Sequence, residues 1–269
     1  MTDTVILTDE NIDTTGITFG PPINNAIVRN QIVAPLNNST LENNIMTHNK
    51  HSIFKPLPNT GKGPVGNFYA EIHWDNGFAP WHLVRFSTPM DGNCLFHAIS
   101  NSFFIPYHEE MLHDKPVKRN VMISSLRKEL SQKLAGKISD EPNALSHYDT
   151  LNNGNTSAFA EAVPEFKLSY MQEQLSSNTA IGYGYMEFIG NALNKDIYIL
   201  ESLRHDIYVT DELRFTIKGN RTSIILYYMN GHYELVGLRN NDGSFDTHFP
   251  SDHSLIRFLY DRVMYFIAQ

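Results

Sequence analysis

One cysteine, Cys94, is the candidate nucleophile of this 269-residue chain. It follows Asp91-Gly92-Asn93, and apolar residues from Leu95 onward recur at helical spacing, which predicts a helix beginning near the cysteine. A helix N-terminus lowers a thiol pKa through free N–H groups and partial positive charge. Gly92 permits a turn that aims successive N–H groups at one point, as an oxyanion hole requires. The alternative is a buried cysteine that only fills space.

The candidate base is His232. A thiol nucleophile needs a base within hydrogen-bonding reach and a third group that orients this base. An apolar run ends in Asn230-Gly231, the strongest hairpin signal in the chain, so His232 should begin the second strand. Glu234 lies on the same strand face and is either the orienting group or a solvated carboxylate. Asp91 is similarly either a member of the site or a turn-forming residue.

The predicted secondary structure places both residues at the ends of regular elements. Strands are predicted at 68–74, 78–87, 196–202, 224–229 and 232–238. Helices are predicted from residue 94 and at 116–135, 157–176, 184–194 and 251–267. An Asn-Gly turn at 75–77 should join the first two strands. This mixture of helices and hairpins favours an α+β architecture, with a small central sheet flanked by helices.

Three segments resemble, in order, the conserved blocks of the ovarian-tumour (OTU) family of cysteine proteases. The segment DGNCLFHAIS at 91–100 resembles the family's nucleophile motif. The apolar strand that leads to GHYE at 231–234 is similar to its C-terminal histidine strand. A glycine-containing lead-in, a helix near a glutamate and a strand at 182–200 are similar to its middle block. The resemblance covers about residues 80–240.

The resemblance implies a papain-like cysteine peptidase fold of OTU type. The implied activity is thiol-dependent hydrolysis of the peptide or isopeptide bond after the C-terminal glycine of ubiquitin or a ubiquitin-like modifier. The implied partners are ubiquitin or polyubiquitin chains, and no cofactor is expected.

The resemblance also implies roles for individual residues. Cys94 would attack the carbonyl, and His232 would take and return the proton. Asp91 would belong to the active site, and the oxyanion hole would be formed by backbone N–H groups of Gly92, Asn93 and Cys94. The family often has Asp or Asn two positions after the histidine. Here that position is Glu234, one methylene longer, so either Glu234 or another residue orients His232.

The chain is expected to contain three parts. Residues 1–62 are rich in Asn, Thr and Pro without sustained periodicity, which predicts a flexible or loosely packed extension. Residues 63–248 are predicted to form the OTU-like catalytic domain, and residues 249–269 a C-terminal helix packed on it. Within the catalytic domain, the polar stretch 139–157 is interpreted as an inserted loop.

Composition excludes several classes of protein and site. With one cysteine, neither an intramolecular disulfide nor a cysteine-rich zinc site can form. The histidine pairs His108/His113 and His248/His253 do not match a common ligand spacing, so no metal is expected. The net charge is −8 without a Lys/Arg block, which argues against nucleic acid as a partner.

The sequence favours a cytoplasmic protein. Its longest apolar run, 224–229, is too short to span a bilayer, and no secretory signal is visible. The abundance of asparagine would suit a viral or bacterial effector acting in host cytoplasm. Two alternatives remain: a non-catalytic OTU-like module that binds ubiquitin, and a cysteine hydrolase that acts on another acyl or amide substrate.

Overall fold

The computed structural model describes residues 69–72, 78, 81–112, 115–209 and 221–267. The predicted extension over 1–62 and the predicted turn at 75–77 lie outside these residues. The strands are β1 (Tyr69–Glu71), β2 (Leu83–Phe86), β3 (Met111–Leu112), β4 (Lys115–Pro116), β5 (Lys195–Glu201), β6 (Ile207–Val209), β7 (Thr222–Met229), β8 (His232–Arg239), β9 (Phe245–Asp246) and β10 (Phe249–Pro250). The helices are α1 (Cys94–Phe103), α2 (Ile105–Glu109), α3 (Arg119–Ala135), α4 (His147–Thr150), α5 (Thr156–Ala162), α6 (Leu168–Ser176), α7 (Met186–Leu193) and α8 (Ser254–Ile267).

A mixed central sheet organises the fold. Its main strand order is β1-β2-β8-β7-β5-β6, with β9 pairing with β8 and β10 with β7. Strands β5 and β7 run parallel, whereas β8 is antiparallel to both of its main neighbours, β7 and β2. The sheet is flanked by helices, so the predicted α+β class is confirmed.

Two hydrophobic cores lie on opposite faces of the sheet. Successive side chains of a strand point to opposite faces, so they pack alternately into the two cores. On β5, Ile197 and Ile199 join the core that also contains residues of α1, α3, α6 and α7. Tyr198 and Leu200 join the second core, which α8 covers. The buried residues of α8 are Leu255, Ile256, Leu259 and Val263, which fall on one face of the helix. Strand β8, which begins at the predicted base His232, therefore belongs to a sheet that is covered on both faces.

The predicted helices differ from the observed ones in their boundaries. Those predicted at 184–194 and 251–267 begin two and three residues later, at Met186 and Ser254. The helix predicted at 116–135 begins at Arg119, because Pro116 belongs to the short strand β4. The helix predicted at 157–176 is divided into α5 and α6 around Pro164. Val163, which precedes this proline, is extended (φ −125°, ψ 93°), as expected because the proline ring disfavours helical geometry in the residue before it.

The stretch 139–157 is more ordered than the predicted loop. Ser146 and Asp149 form a capping box that starts α4, with the Ser146 hydroxyl accepting the Asp149 N–H. His147, Tyr148 and Thr150 are buried, so the second half of this stretch packs into the domain.

Within the part of the chain that the structure describes, every helix is too short or too polar to traverse a bilayer.

Candidate active site

Cys94 is the first residue of α1 and is 5% exposed. Burial raises the pKa of its thiol, and the nearby Asp91 carboxylate raises it further. Hydrogen bonds from the N–H groups of Tyr233 and Leu95 act in the opposite direction. The N–H groups at the start of the helix thus lower this pKa as expected, but desolvation of the charged form is the larger effect and the net pKa is raised.

A tight hairpin brings His232 to the same place. Strands β7 and β8 pair with Met229 opposite His232, and Asn230 and Gly231 have φ values of 50° and 80°. Two consecutive positive φ values are typical of a type I′ turn, which the Asn-Gly pair favours. The predicted hairpin is confirmed. His232 begins β8, and the N–H of the next residue, Tyr233, donates to the Cys94 sulfur.

Thr88 determines which ring nitrogen of His232 carries the proton in the neutral imidazole. Its hydroxyl donates to the Tyr233 carbonyl at 2.6 Å, and its oxygen lies 3.3 Å from His232 Nε2. Because the only hydroxyl proton of Thr88 is engaged, the oxygen accepts the Nε2–H. Nδ1 is then the basic nitrogen of the neutral ring.

Glu234 lies near His232 but is held mainly by another partner. Glu234 Oε2 accepts a hydrogen bond from Arg85 Nη1 at 2.9 Å, whereas Oε1 is 4.0 Å from His232 Nε2. The latter distance is too long for a hydrogen bond. Burial lowers the pKa of His232, the Glu234 carboxylate raises it, and the Arg85 charge lowers it. Glu234 therefore acts on His232 through its charge, and Thr88 makes the direct contact.

Asp91 shapes the loop before the cysteine. Its Oδ1 accepts the Asn93 N–H at 2.9 Å, and its Oδ2 lies 3.2 Å from His97 Nε2. Burial tends to raise the Asp91 pKa, but hydrogen bonds from Asn93 and His97 outweigh it and the net pKa is lowered. The other ring nitrogen of His97 lies 2.6 Å from the Tyr107 hydroxyl. The contacts of Asp91 are thus those of a turn-forming residue. The Asn93 N–H, one of the three predicted oxyanion donors, already donates to Asp91.

Gly92 allows the close approach of a second loop. Its φ is +78°, and a Cβ at this position would lie 2.2 Å from the carbonyl oxygen of Asn178. A side chain would have to displace backbone, since the loop that contains Asn178 packs directly on the glycine. This packing requires glycine on both conformational and steric grounds.

The histidines considered as metal ligands have other contacts. His248 Nδ1 lies 3.0 Å from the Ser102 carbonyl oxygen, and His253 Nδ1 accepts the Leu255 N–H at 3.2 Å. His113 lies outside the described residues. Among the residues that are described, no three His, Cys, Asp or Glu side chains converge in a way that could hold a metal ion.

Several solved structures similar to this chain are OTU domains. One, an OTU domain in complex with ubiquitin, is 16% identical with a TM-score of 0.43, and the match covers 73% of this chain and 90% of that chain. The viral OTU domain protease from Farallon virus is 13% identical with a TM-score of 0.38, over 65% of this chain and 94% of its own. The one from Dera Ghazi Khan virus is 14% identical with a TM-score of 0.34, over 70% and 96%. No family model matches the sequence, and no curated protein matches it.

Proposed function

We propose that the protein is a cysteine hydrolase that cleaves the peptide or isopeptide bond after the C-terminal glycine of ubiquitin or a ubiquitin-like modifier. The observation that carries the reaction class is the convergence of Cys94 with the His232 hairpin, in which Thr88 leaves Nδ1 of the histidine as a base. The substrate class rests on the OTU-like motifs at 91–100 and 231–234.

The first half of the proposed reaction forms a thioester. His232 Nδ1 takes the thiol proton while the Cys94 sulfur bonds to the substrate carbonyl carbon. The carbonyl oxygen becomes an oxyanion, for which we assign the N–H groups of Gly92 and Cys94 as donors. The tetrahedral intermediate then collapses, and the leaving amine receives the proton from Nδ1 as the C–N bond breaks.

The second half hydrolyses the thioester. Water gives a proton to Nδ1 and attacks the same carbonyl, and the oxyanion forms again in the same place. The proton returns to sulfur as the C–S bond breaks, which regenerates the thiol. Throughout, the Thr88 oxygen accepts the Nε2–H and keeps the ring in one orientation.

A macromolecular substrate fits the surroundings of the loop. Met90, the residue before Asp91, is 87% exposed, so it presents a large apolar side chain beside the oxyanion loop.

We propose that the reaction takes place in the cytoplasm, where a free thiol stays reduced.

Cleavage of diubiquitin by the wild type and by Cys94→Ser tests the function. We expect cleavage by the wild type only. A folded wild type that binds ubiquitin without cleaving it would instead indicate a binding module. Reaction with small thiol-directed acyl probes, together with inertness toward ubiquitin and ubiquitin-like substrates, would indicate a different acyl substrate.

Thr88 and Glu234 should contribute unequally to turnover. Thr88→Val keeps the side-chain shape but removes the acceptor of the Nε2–H, and a lost hydrogen bond of about 1.4 kcal/mol corresponds to a loss of ~10-fold in kcat. Glu234→Gln keeps the shape and removes a charge 4.0 Å from the ring, so its effect should be smaller. Steady-state kinetics of both variants check this order. A larger loss in Glu234→Gln would make Glu234 the main orienting residue.

The pH dependence of hydrolysis should differ from that of alkylation. Burial lowers the pKa of His232 from its ordinary 6.5 and raises that of Cys94 from its ordinary 9.0. Hydrolysis needs the neutral imidazole, so kcat/KM should rise with a midpoint below pH 6.5 and then level off. Alkylation by iodoacetamide needs the thiolate, so its rate should still be increasing above pH 9.0. Two profiles that rise together in the acidic range would instead indicate a thiolate–imidazolium pair.

A further inference from the structure

A completely buried arginine lies beneath the loop that precedes Cys94. Arg127, in the middle of α3, is 0% exposed. Its Nη1 donates to the Asn93 side-chain oxygen at 2.8 Å and to the Gly92 carbonyl at 3.3 Å. Its other two nitrogens donate to backbone carbonyls at the end of α6 and just after it. The acceptors are Gln174, Leu175 and Thr179, at 2.7, 2.9 and 2.8 Å. All five acceptors are neutral oxygens rather than carboxylates.

These contacts hold the buried guanidinium in place, and the charge of Asp91 favours its protonated form. Gln174 and Leu175 belong to the last turn of α6, where carbonyl groups and the helix dipole favour a cation. The guanidinium carbon lies 4.6 Å from the centroid of the Phe96 ring, within the range of a cation–π contact. Burial lowers the pKa of Arg127 to about 10, so the side chain remains protonated at neutral pH.

Arg127 and Asp91 together fix one peptide group of the loop. The carbonyl of the Gly92–Asn93 peptide accepts from Arg127, and the N–H of the same peptide donates to Asp91 Oδ1. A trans peptide directs its C=O and N–H to opposite sides, so these two contacts hold one orientation of the plane. The proposed oxyanion donors, the N–H groups of Gly92 and Cys94, belong to the two flanking peptides. Their directions therefore depend on this plane.

We propose that Arg127 is a positioning residue of the hydrolytic site, which stabilises the oxyanion by holding the Gly92–Asn93 peptide. This inference rests on the proposed function. Arg127 does not touch the substrate; it acts through the loop and through the 174–179 segment that packs on Gly92. If the peptide turned over, the Gly92 carbonyl would be aimed away from Arg127, and the flanking N–H groups would no longer converge.

A comparison of hydrolysis with alkylation separates this role from a merely structural one. Hydrolysis passes through an oxyanion, whereas alkylation of Cys94 by iodoacetamide displaces iodide and forms none. Because Cys94 is the only cysteine, alkylation reports on this thiol alone. Loss of oxyanion stabilisation should therefore lower kcat for a ubiquitin C-terminal amide and leave the alkylation rate unchanged.

Arg127→Lys is the first test variant, since it keeps the charge but has one nitrogen in place of the planar fork. We expect kcat to fall by ~10- to 100-fold, short of the loss of a complete oxyanion donor. The alkylation rate at the same pH should equal that of the wild type. The matched control is Arg221→Lys, because Arg221 is also buried but donates to Asp196 and Asn191, away from the loop. The control should keep both rates.

Arg127→Ala with added guanidinium ion is the second test. The substitution leaves a cavity shaped for the missing group, so guanidinium chloride at concentrations well below denaturing ones should restore part of the lost kcat. Potassium chloride at equal concentration should not. If Arg127→Ala does not fold, Arg127→Lys decides the question alone.

Four outcomes would overturn the inference. Equal losses of hydrolysis and alkylation in Arg127→Lys would show a general effect on the thiol. Full hydrolysis in Arg127→Lys, or the same loss in Arg221→Lys, would remove any specific role. A folded wild type that cleaves no ubiquitin substrate would overturn the proposed function and this inference with it. This outcome is distinguished from the others because the wild type itself is inactive.

Discussion

Replacing Gly92 by alanine is expected to lower kcat by about 100- to 1,000-fold, the cost of losing an oxyanion donor. The added Cβ would lie 2.2 Å from the Asn178 carbonyl oxygen, so one of the two loops must move. The φ of +78° also costs an L-residue about 1–2 kcal/mol. We therefore expect a loss of both the free energy of unfolding and the rate, measured by denaturant titration and by hydrolysis of a ubiquitin C-terminal amide.

Gly154→Ala is the matched control for this substitution. Gly154 has almost the same φ, +80°, but its nearest neighbour to an added Cβ is the Asp149 carbonyl oxygen at 3.7 Å, an ordinary contact. This variant should lose about 1–2 kcal/mol of stability from the φ alone and keep its kcat. Wild-type turnover by Gly92→Ala would contradict the assigned role of the loop.

Replacing His232 by alanine should lower kcat by about 100- to 10,000-fold, the usual contribution of a general base. The side chain follows the hairpin turn and is partly exposed, so its removal takes little from the hydrophobic core. The thermal unfolding midpoint should consequently stay close to that of the wild type. Steady-state hydrolysis and calorimetry of the same preparations measure the two quantities.

His82→Ala is the control for the loss of a histidine. His82 is exposed and directly precedes β2, at the end of β8 opposite His232, where its carbonyl accepts the N–H of Arg239. We expect wild-type kinetics. Unchanged turnover in His232→Ala would show that another group is the base. The proximity of the hairpin to Cys94 would then have no catalytic role.

The parts of the site that depend on local sequence could be predicted. The start of a helix at Cys94 followed from the residues around it, and the position of His232 followed from the Asn-Gly turn before it. The α+β class followed from the mixture of helices and hairpins. Each of these features is determined within a few residues, so a single sequence carries the signal.

The parts that depend on distant contacts could not be predicted. Thr88 lies 144 positions from His232, and its contact exists only because β2 pairs with β8. Arg127 carried a weak signal, as a charged residue one helical turn after the apolar Ile123, on the face that α3 buries. The raised pKa of Cys94 depends on burial by the assembled domain, whereas the sequence showed only the helix N-terminus.

Reaction with ubiquitin that carries a thiol-reactive group at its C-terminus tests the central claim most directly. Since Cys94 is the only cysteine, the mass of the product is enough to locate a thiol adduct. We expect one covalent adduct on the wild type and none on Cys94→Ala. No adduct on a folded wild type, or an adduct that persists in Cys94→Ala, would contradict the assignment of Cys94 as a nucleophile acting on ubiquitin.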